Sequence, residues 1–369
     1  MRVLMLIHSL RRGGAERVCL NLALGLAQQG DEVEVLSWVD VDEYQDSEYL
    51  SIGRQHLVAV SEYQWVRSIP RDAKRLRRYV DLFKPDVIQI HTPNMVWLAA
   101  WTLLKEPCVQ VLHGYSSITF RGSWKALAYK VISRIAYRSL NLKTVVVAEP
   151  MANLASTYYG IRINNVSVIN NGVDLSKFRP ASITNGQKRT VIMIGTLSEL
   201  KGQLLGVEAF RRLLETSPGA TLLIVGDGPD MDCLNDAVTK YGLFNRIQLL
   251  GRRSDIPELL TKSSVLWHLS RMEAMPVTVL EAMATGVPVI GFRVRGVRDT
   301  VQDKITGHLV AHGDIEAVAE KTSRLFAQKD EWEAFSKRSR LIAETRFSVE
   351  TMILQHRKVL EEIAVCHEQ

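Results

Sequence analysis

Cysteine is scarce in this sequence and long apolar runs are missing, and both features restrict the class of protein. The four cysteines are scattered over 369 residues and none belongs to a Cys-x-x-Cys pair, so neither a zinc site nor a disulfide framework is indicated. The apolar run Val3–Ile7 is too short for the core of a signal peptide. The longest later run, Met95–Leu104, has about half the length that crosses a bilayer. These absences predict a protein of a reducing, cytoplasmic compartment.

Acidic residues are scarce in one stretch of the chain. Between Arg54 and Lys143 there are 15 lysines and arginines against 5 aspartates and glutamates, a local excess of 10 positive charges that exceeds the +6 of the whole chain. Such a stretch is typical of a surface that meets membrane headgroups, a lipid pyrophosphate or nucleic acid, although basic helices also serve simply to solvate a surface. The tryptophans of this stretch are Trp65, Trp97, Trp101 and Trp124, and the basic residues that lie among them are Arg67, Arg71, Lys74, Arg75, Arg77, Arg78, Arg121, Lys125, Lys130, Arg134 and Arg138. Reversing the charges at Arg71, Lys74, Arg77 and Arg78 together is expected to reduce binding to anionic membranes, and the unchanged Arg75 is expected to leave some residual binding.

The chain alternates short apolar runs with helical periodicity, which is typical of parallel sheets with crossover helices. The pattern runs once as far as the turn-rich segment Asn170–Asp174 and then restarts. An α/β protein with two Rossmann-like domains, 1–176 and 177–345, and a final helix, 346–369, is therefore predicted. Ligands of such sheets bind at the carboxyl ends of the strands. The predicted strands are Val3–His8, Val33–Trp38, Val87–Ile90, Val109–Leu112, Thr144–Val147, Val166–Ile169, Thr190–Ile194, Thr221–Val225, Ile247–Leu250, Val265–His268 and Val287–Gly291.

The segment between residues 270 and 290 carries the most specific pattern. Pro276 is a natural first residue of a helix because it has no N–H to leave unpaired, and Gly286 is a natural helix stop. A short helix is therefore predicted between Glu273 and Gly286, with Glu281 in its second turn. The N-terminal end of such a helix offers open N–H groups and a positive dipole to a phosphate. Two glutamates at this spacing often occur by chance, because glutamate is a common residue. The pattern becomes informative because a predicted helix and a buried strand surround it.

This pattern resembles the donor-site signature of glycosyltransferase family 4, and the resemblance extends over nearly the whole chain. It implies the GT-B fold, in which two Rossmann-like domains face each other across a cleft and a C-terminal helix crosses back to the first domain. The segments that resemble landmarks of the family are Gly13–Arg17, Lys84–Ile88, Val111–Gly114, Asn171–Asp174, Ile194–Gly202, Val225–Pro229 and Ile305–Val310.

The resemblance implies that the donor is a nucleoside diphosphate sugar and assigns residues to each part of it. Glu281 would accept hydrogen bonds from the two ribose hydroxyls. Glu273 would bind hydroxyls of the sugar, helped by the N–H groups of Ala274 and Met275. Lys201 would neutralise the diphosphate, which leaves with negative charge in the transition state.

Three further positions follow from the same resemblance. Arg252 would flank the nucleotide base, and Gly14 would let the backbone approach a phosphate or the acceptor. His113 would face the donor sugar from the opposite domain. Catalysis is thus expected to depend on His113, Glu273 and Lys201, whereas His91, also at a predicted strand end, is interpreted as structural.

One departure from the family concerns the diphosphate site. Where the family usually has an arginine that shares the diphosphate with the lysine, this chain has Thr196, which keeps a hydroxyl donor and loses the charge. Either the clamp is weaker here, or another cation such as Arg271 or Arg12 substitutes for the missing one.

Two short motifs point elsewhere and are set aside. Asp40-Val41-Asp42 matches the metal-binding Asp-x-Asp of a different glycosyltransferase fold, but it opens a polar loop in a chain with Rossmann-like halves. Gly226-x-Gly228 lacks the third glycine of a dinucleotide fingerprint, since Met231 stands there. No resident cofactor is therefore expected, and a metal-independent reaction is predicted.

The sequence thus predicts a retaining hexosyltransferase that moves a sugar from a nucleoside diphosphate to an acceptor hydroxyl. The basic stretch favours a lipid-linked glycan of bacterial surface polysaccharide or lipopolysaccharide biosynthesis, at the inner face of the membrane. A small soluble acceptor, a nucleotide-sugar epimerase and an inactive nucleotide-sugar-binding subunit remain as alternatives. A nucleic-acid partner is not expected because it would explain none of the motifs in the second half.

Overall fold

The computed structural model describes residues 1–44, 49, 51–58, 65–91, 104–114, 131, 134–135, 142–180 and 189–368. Its contacts divide the chain into two compact units. The first unit comprises Met1–Asn171 and Val349–Gln369, and the second comprises Gly172–Ser348. The sequence predicts boundaries after residues 176 and 345, whereas the contacts divide the chain after Asn171 and Ser348.

Strands and helices alternate along both units. The described strands are β1 Arg2–Ile7, β2 Glu32–Val39, β3 Gly53–Val58, β4 Val87–His91, β5 Cys108–Leu112, β6 Lys143–Val146, β7 Val166–Val168, β8 Thr190–Ile194, β9 Thr221–Val225, β10 Ile247–Leu249, β11 Val265–His268, β12 Val289–Phe292 and β13 Gly307–Val310. The described helices are α1 Gly14–Gln28, α2 Trp65–Phe83, α3 Glu149–Leu154, α4 Gln203–Thr216, α5 Met231–Lys240, α6 Ile256–Thr261, α7 Val277–Ala284, α8 Val297–Thr300, α9 Ile315–Ala327, α10 Lys329–Arg346 and α11 Val349–Glu368.

The first unit is built on a parallel sheet whose described strands lie in the order β3-β2-β1-β4-β5-β6-β7. The central strand β1 is buried from Val3 to Ile7, as expected where helices cover both faces of a parallel sheet. The edge strand β3 was not predicted. Its sequence, Gly-Arg-Gln-His-Leu-Val, is mostly polar, so it lacks the continuous apolar run by which a buried parallel strand is identified.

The C-terminal helix α11 packs on the first unit, which confirms the predicted return of this helix. A β-carbon on Gly25 of α1 would come within 2.1 Å of the Ile353 side chain, so the glycine allows the two helices to approach closely. At the sheet, Gln89 Nε2 lies 2.8 Å from Nδ1 of His356. The final helix is thus joined to β4 by a buried polar contact as well as by packing.

The second unit is built on a second parallel sheet, with its described strands in the order β10-β9-β8-β11-β12-β13. The order reverses between β8 and β11, and the crevice at such a point is where open α/β sheets bind ligands. The buried indole of Trp267 on β11 packs against Phe210 of α4, and its Nε1–H donates to Thr322 Oγ1 at 2.8 Å. The fold therefore places the loops that follow Ile194 and His268 side by side.

Candidate donor site

The candidate site is formed where the loops after β8 and β11 touch. Lys201 ends a short 3-10 turn, Glu199–Lys201, and is followed by Gly202 with a φ of 72°. A β-carbon on Gly202 would lie 2.2 Å from the carbonyl oxygen of Leu269, so only glycine permits this backbone conformation at this distance. The close approach brings Lys201 to the segment that carries Glu273.

Lys201, Glu273 and His268 form a cluster in the second unit. Lys201 Nζ donates to Glu273 Oε1 at 2.6 Å, and His268 Nε2 lies 3.1 Å from the same oxygen. The side chains of Lys201, Glu273 and His268 are 33%, 11% and 5% exposed. Burial raises the pKa of the Glu273 carboxyl, but the hydrogen bonds and charges of His268 and Lys201 outweigh burial and hold this pKa at about 2. Glu273 is therefore ionised at neutral pH.

The short helix α7 follows this cluster. The structure corrects the prediction for Pro276, which is the N-cap in an extended conformation, so that the helix begins one residue later at Val277. Thr285 caps the other end and Gly286 follows it, as predicted. Glu281, in the second turn, is only 2% exposed, whereas a glutamate on a helix surface would normally be solvated.

The loop after β12 supports the segment of Glu273 and Ala274. Gly296 has a φ of 79°, and a β-carbon there would come within 2.5 Å of the carbonyl oxygens of Glu273 and Ala274. Ala274 and Met275 are themselves buried. Loops from three neighbouring strands thus hold the backbone that precedes α7, and that backbone is the part expected to meet the sugar.

The other residues of the second unit that the sequence predicts for the donor site are held by local contacts. Thr196 is exposed and its carbonyl oxygen accepts a hydrogen bond from Gln203 Nε2 at 3.0 Å. Arg252 Nε lies 3.3 Å from Asp227 Oδ2, and both side chains are half exposed. Arg271, one of the cations considered as a substitute at the diphosphate, lies 3.5 Å from Glu199 Oε1.

Gly14 and the other candidate cation, Arg12, lie in the first unit. Gly14 is the first residue of α1, and Gly13 is its N-cap. The Tyr44 hydroxyl donates to the Gly13 carbonyl at 3.0 Å and accepts from its N–H at 3.2 Å. Arg12 Nε donates to the carbonyl oxygen of Glu43 at 3.2 Å. The predicted glycine loop is thus tied to the segment after β2.

His113 lies directly after β5 and is coupled to His91. Nδ1 of His91 is 2.8 Å from Nε2 of His113, and the two rings are stacked with centroids 5.0 Å apart. Burial lowers the pKa of His113 to about 4. Burial and the neighbouring His113 and His356 lower the pKa of His91 well below its usual value. Both rings are neutral at pH 7, so His113 can exchange hydrogen bonds with a hydroxyl but carries no charge.

His268 is the residue of this site that the sequence reasoning missed. It occupies the last position of a buried strand, where a side chain is normally interpreted as part of the hydrophobic core. A histidine in a run that is otherwise Val-Leu-Trp is a weak signal, and its position five residues before Glu273 gains meaning only once the loop is folded.

The Asp-x-Asp motif contains a carboxylate that pairs with a cation of the chain. Asp42 Oδ2 lies 2.7 Å from Arg54 NH1, and both side chains are largely buried. Within the described ranges, no three His, Cys, Asp or Glu side chains are grouped so that they could hold a metal ion. None of the helices in the described ranges has the length and apolar character needed to cross a membrane.

Comparison with known proteins covers both units. The family model "Glycosyl transferases group 1" matches residues 175–342, and the model "Glycosyltransferase Family 4" matches residues 12–177. A galactosyltransferase of Escherichia coli, named for transfer from UDP-Gal to alpha-D-GlcNAc-diphosphoundecaprenol, is 30% identical over 68% of this chain and 69% of its own length. The N-acetyl-alpha-D-glucosaminyl L-malate synthase of Bacillus anthracis is 25% identical over 95% and 94% of the two chains.

Solved structures match the fold of the whole chain. The crystal structure of HepE from Anabaena in complex with UDP and glucose superposes with a TM-score of 0.82 and 21% identity, covering 98% of this chain and 99% of that one. WaaG, a glycosyltransferase involved in lipopolysaccharide biosynthesis, superposes with a TM-score of 0.78 and 17% identity, covering 98% and 99% of the two chains. At these identities the likeness concerns the fold, and it confirms the predicted GT-B class.

Proposed function

This chain is a glycosyltransferase that belongs to family 4, and from that premise we propose that it moves a sugar from a nucleoside diphosphate to an acceptor hydroxyl with retention of configuration. One observation carries the proposal. At the strand-order reversal of the second sheet, Lys201 and the ionised Glu273 are in contact directly before the helix that carries the buried Glu281. This arrangement provides a cation for the diphosphate and acceptor oxygens for hydroxyl groups.

The proposed binding mode assigns each group of the donor to this arrangement. The two oxygens of Glu281 would accept hydrogen bonds from the ribose hydroxyls, and Arg252 would flank the base. Lys201 would bind the diphosphate, while Glu273 and the N–H groups of Ala274 and Met275 would bind the sugar. Charged hydrogen bonds of this kind are about twice as strong as neutral ones.

The first unit would supply the remaining contacts. His113, held by His91 and neutral at pH 7, would bind a sugar hydroxyl, and the backbone at Gly14 would approach a phosphate or the acceptor. A neutral imidazole suits this task because it offers one donor and one acceptor.

The proposed chemistry is a front-face displacement. The bond between the anomeric carbon and the diphosphate breaks while the acceptor oxygen bonds to the same face of that carbon, and the acceptor proton passes to the departing diphosphate. Glu273 cannot act as the general acid, because its pKa of about 2 leaves it without a proton. Catalysis would therefore rest on positioning and on stabilising the charge that develops on the diphosphate.

We propose a lipid-linked glycan at the inner face of the membrane as the acceptor, as in bacterial surface polysaccharide or lipopolysaccharide assembly. The basic stretch between Arg54 and Lys143 supports this choice, and the E. coli relative is named for a diphosphoundecaprenol-linked acceptor. A small soluble acceptor is the second candidate, because the B. anthracis relative is named for L-malate. An inactive nucleotide-sugar-binding subunit is the third candidate, because Thr196 lacks the charge of the family's arginine.

A panel of nucleotides tests the proposal directly. Thermal unfolding would be followed with UDP, GDP and ADP and with the common nucleotide sugars of each. Turnover of the radiolabelled nucleotide sugar that stabilises the protein would then be measured. We expect one nucleoside diphosphate and its sugar to raise the melting temperature, because a ligand that binds only the folded state stabilises it. Stabilisation without turnover would favour the inactive subunit, and no stabilisation by any nucleotide would contradict donor binding altogether.

Transfer is expected to survive chelation. Lys201 provides a positive charge beside Glu273, and the one motif that resembled a metal site has Asp42 paired with Arg54. Initial rates in excess EDTA should equal those in EDTA that has been saturated with calcium, which controls for ionic strength. Loss of transfer in free EDTA, with recovery on adding manganese, would show that a metal takes part.

Vesicle binding tests the membrane proposal, and the structure corrects the choice of residues. Arg77 is the exception among the expected basic residues, because its guanidinium is hydrogen-bonded to Asp81 and to both oxygens of Glu106. Lys74, Arg75 and Arg78 of the same helix are exposed. The side chain of Arg71 and residues Trp97, Trp101 and Trp124 lie outside the described residues.

Reversing the charges at Lys74, Arg75 and Arg78 to glutamate is expected to lower partitioning onto anionic vesicles by at least about a hundredfold, because losing three basic residues near the surface costs about 1 kcal/mol each and the new carboxylates add repulsion. Co-sedimentation at low and high salt measures it, since salt screens the attraction. The matched control reverses three exposed basic residues of the second unit, Lys240, Arg246 and Lys262. Equal loss in both variants, or no binding by the unmodified protein, would favour the soluble acceptor.

A further inference from the structure

The carboxylate of Glu273 receives two hydrogen bonds at one oxygen. Lys201 Nζ lies 2.6 Å and His268 Nε2 lies 3.1 Å from Oε1. An ionised carboxylate has no hydrogen to donate, so the hydrogen between His268 and Glu273 must be on Nε2. The imidazole of His268 therefore acts as a second donor to Glu273 beside the lysine.

The proposed function requires Lys201 to serve two acceptors. In the structure it is bound to Glu273, whereas during the reaction it must reach the diphosphate. If Glu273 had no other partner, moving the lysine away would leave a carboxylate that is 11% exposed without its charged donor, and a buried unpaired charge is strongly unfavourable. Glu273 would then hold Lys201 and compete with the diphosphate for it.

We propose that His268 is a positioning residue that keeps the Glu273 carboxylate hydrogen-bonded while Lys201 turns to the diphosphate. This inference rests on the proposed function, because it assigns Lys201 to the donor. His268 lowers the free energy of the state in which the lysine has left Glu273, and it keeps that carboxylate in place for the sugar.

The surroundings of the two donors fit this division of roles. His268 is buried at the end of β11, and Ser270 Oγ lies 3.2 Å from the same Nε2 atom, so the ring is enclosed by the strand and its loop. Lys201 is one-third exposed and has a flexible four-carbon stem. The histidine can therefore stay while the lysine moves.

Two amide variants of His268 test whether a donor at the position of Nε2 is needed or whether any polar side chain suffices. Glutamine places its amide nitrogen near the position of Nε2 and can still donate to Glu273, whereas the asparagine amide is shorter and stops near the position of Nδ1. We expect His268→Asn to weaken binding of the nucleoside diphosphate by about tenfold, the scale of one charged hydrogen bond, and His268→Gln to bind within about threefold of the unmodified protein. Calorimetric titration with UDP, GDP and ADP measures these affinities.

A double variant tests whether the effect passes through Lys201. Glu273→Gln removes the charge that holds the lysine, so the nucleoside diphosphate affinity of His268→Asn/Glu273→Gln is expected to return to that of Glu273→Gln alone. If His268 had only a structural role, a second substitution in the same site would not restore the affinity that His268→Asn loses. The matched control is His308→Asn, which changes another buried histidine of the same unit on β13 and should leave the affinity unchanged.

Three outcomes would overturn the inference, and they differ from failure of the proposed function. Unchanged affinity of His268→Asn would contradict it, as would loss of affinity in His268→Gln equal to that in His268→Asn. No recovery in the double variant would show that Lys201 is not released in this way. If the unmodified protein binds none of UDP, GDP and ADP, the proposed donor function itself fails. If His268→Asn unfolds, His268→Leu, which also removes the donor, is compared with His268→Leu/Glu273→Gln, and the same loss and recovery of affinity are expected.

Discussion

Replacing Glu281 by alanine is expected to reduce the affinity for the nucleoside diphosphate by about 10²–10⁴-fold, because each of two hydrogen bonds to a buried carboxylate contributes about 1.5–3 kcal/mol. The residue is 2% exposed in the second turn of α7, so its bonds to the ribose would form away from competing water. Calorimetry with the nucleotide selected by the panel measures the loss.

Two further variants make this result specific. Glu281→Gln keeps the shape and one acceptor oxygen, and an affinity between those of the alanine variant and the unmodified protein is expected. Glu208→Ala removes an exposed glutamate from helix α4 and should have no effect. Equal melting temperatures of the free proteins would show that the fold is retained. An alanine variant that binds the nucleotide as the unmodified protein does would remove Glu281 from the donor site.

Replacing Lys201 by methionine is expected to lower kcat by about 10²–10³-fold, the usual scale when one preorganised charge that stabilises a transition state is removed. The diphosphate carries more negative charge as it leaves than it does in the bound donor. The loss in kcat should therefore exceed the loss in affinity for the intact nucleotide sugar. Single-turnover rates at saturating donor measure the first quantity, and equilibrium titration measures the second.

Lys262→Met is the matched control, since Lys262 is an exposed lysine of the same unit at the end of α6. Lys201→Arg keeps the charge and is expected to retain part of the activity. If kcat is unchanged in Lys201→Met, the cation at the diphosphate must be another one, and Arg271, which lies 3.5 Å from Glu199, would be the next residue to substitute. Removing Lys201 also leaves His268 Nε2, 3.1 Å away, as the hydrogen-bond partner of Glu273 Oε1.

Much of the fold was predictable because its signals are local. The strands Thr190–Ile194, Thr221–Val225 and Val265–His268 agree residue for residue with the prediction, since a buried parallel strand is a continuous apolar run between turn residues. The strand predicted at Val287–Gly291 begins at Val289 instead. Pro288 has no N–H for the ladder, and the Val287 N–H donates to Ala282 at the end of α7.

Less of the site was predictable, because its contacts join distant segments. The sequence named Lys201, Glu273 and Glu281 through their motifs, but not the contact between Lys201 and Glu273, which are separated by 72 positions. That contact depends on β8 and β11 being neighbours and on Gly202 lying against Leu269. His268 escaped notice for the same reason.

By itself, therefore, the amino-acid sequence determined the two α/β halves and, through its resemblance to glycosyltransferase family 4, the family. The halves follow from patterns within about 20 residues, because strand, turn and helix preferences act locally. The residues assigned to the donor site follow from the resemblance and stay a prediction. The tertiary structure alone decided that Arg77 is neutralised by Glu106, that Asp42 is paired with Arg54 and that Glu273 is shared by Lys201 and His268. The ion pairs and hydrogen bonds of a side chain depend on which segments are neighbours in the fold. Strand order decides those neighbours, and no local sequence pattern specifies strand order.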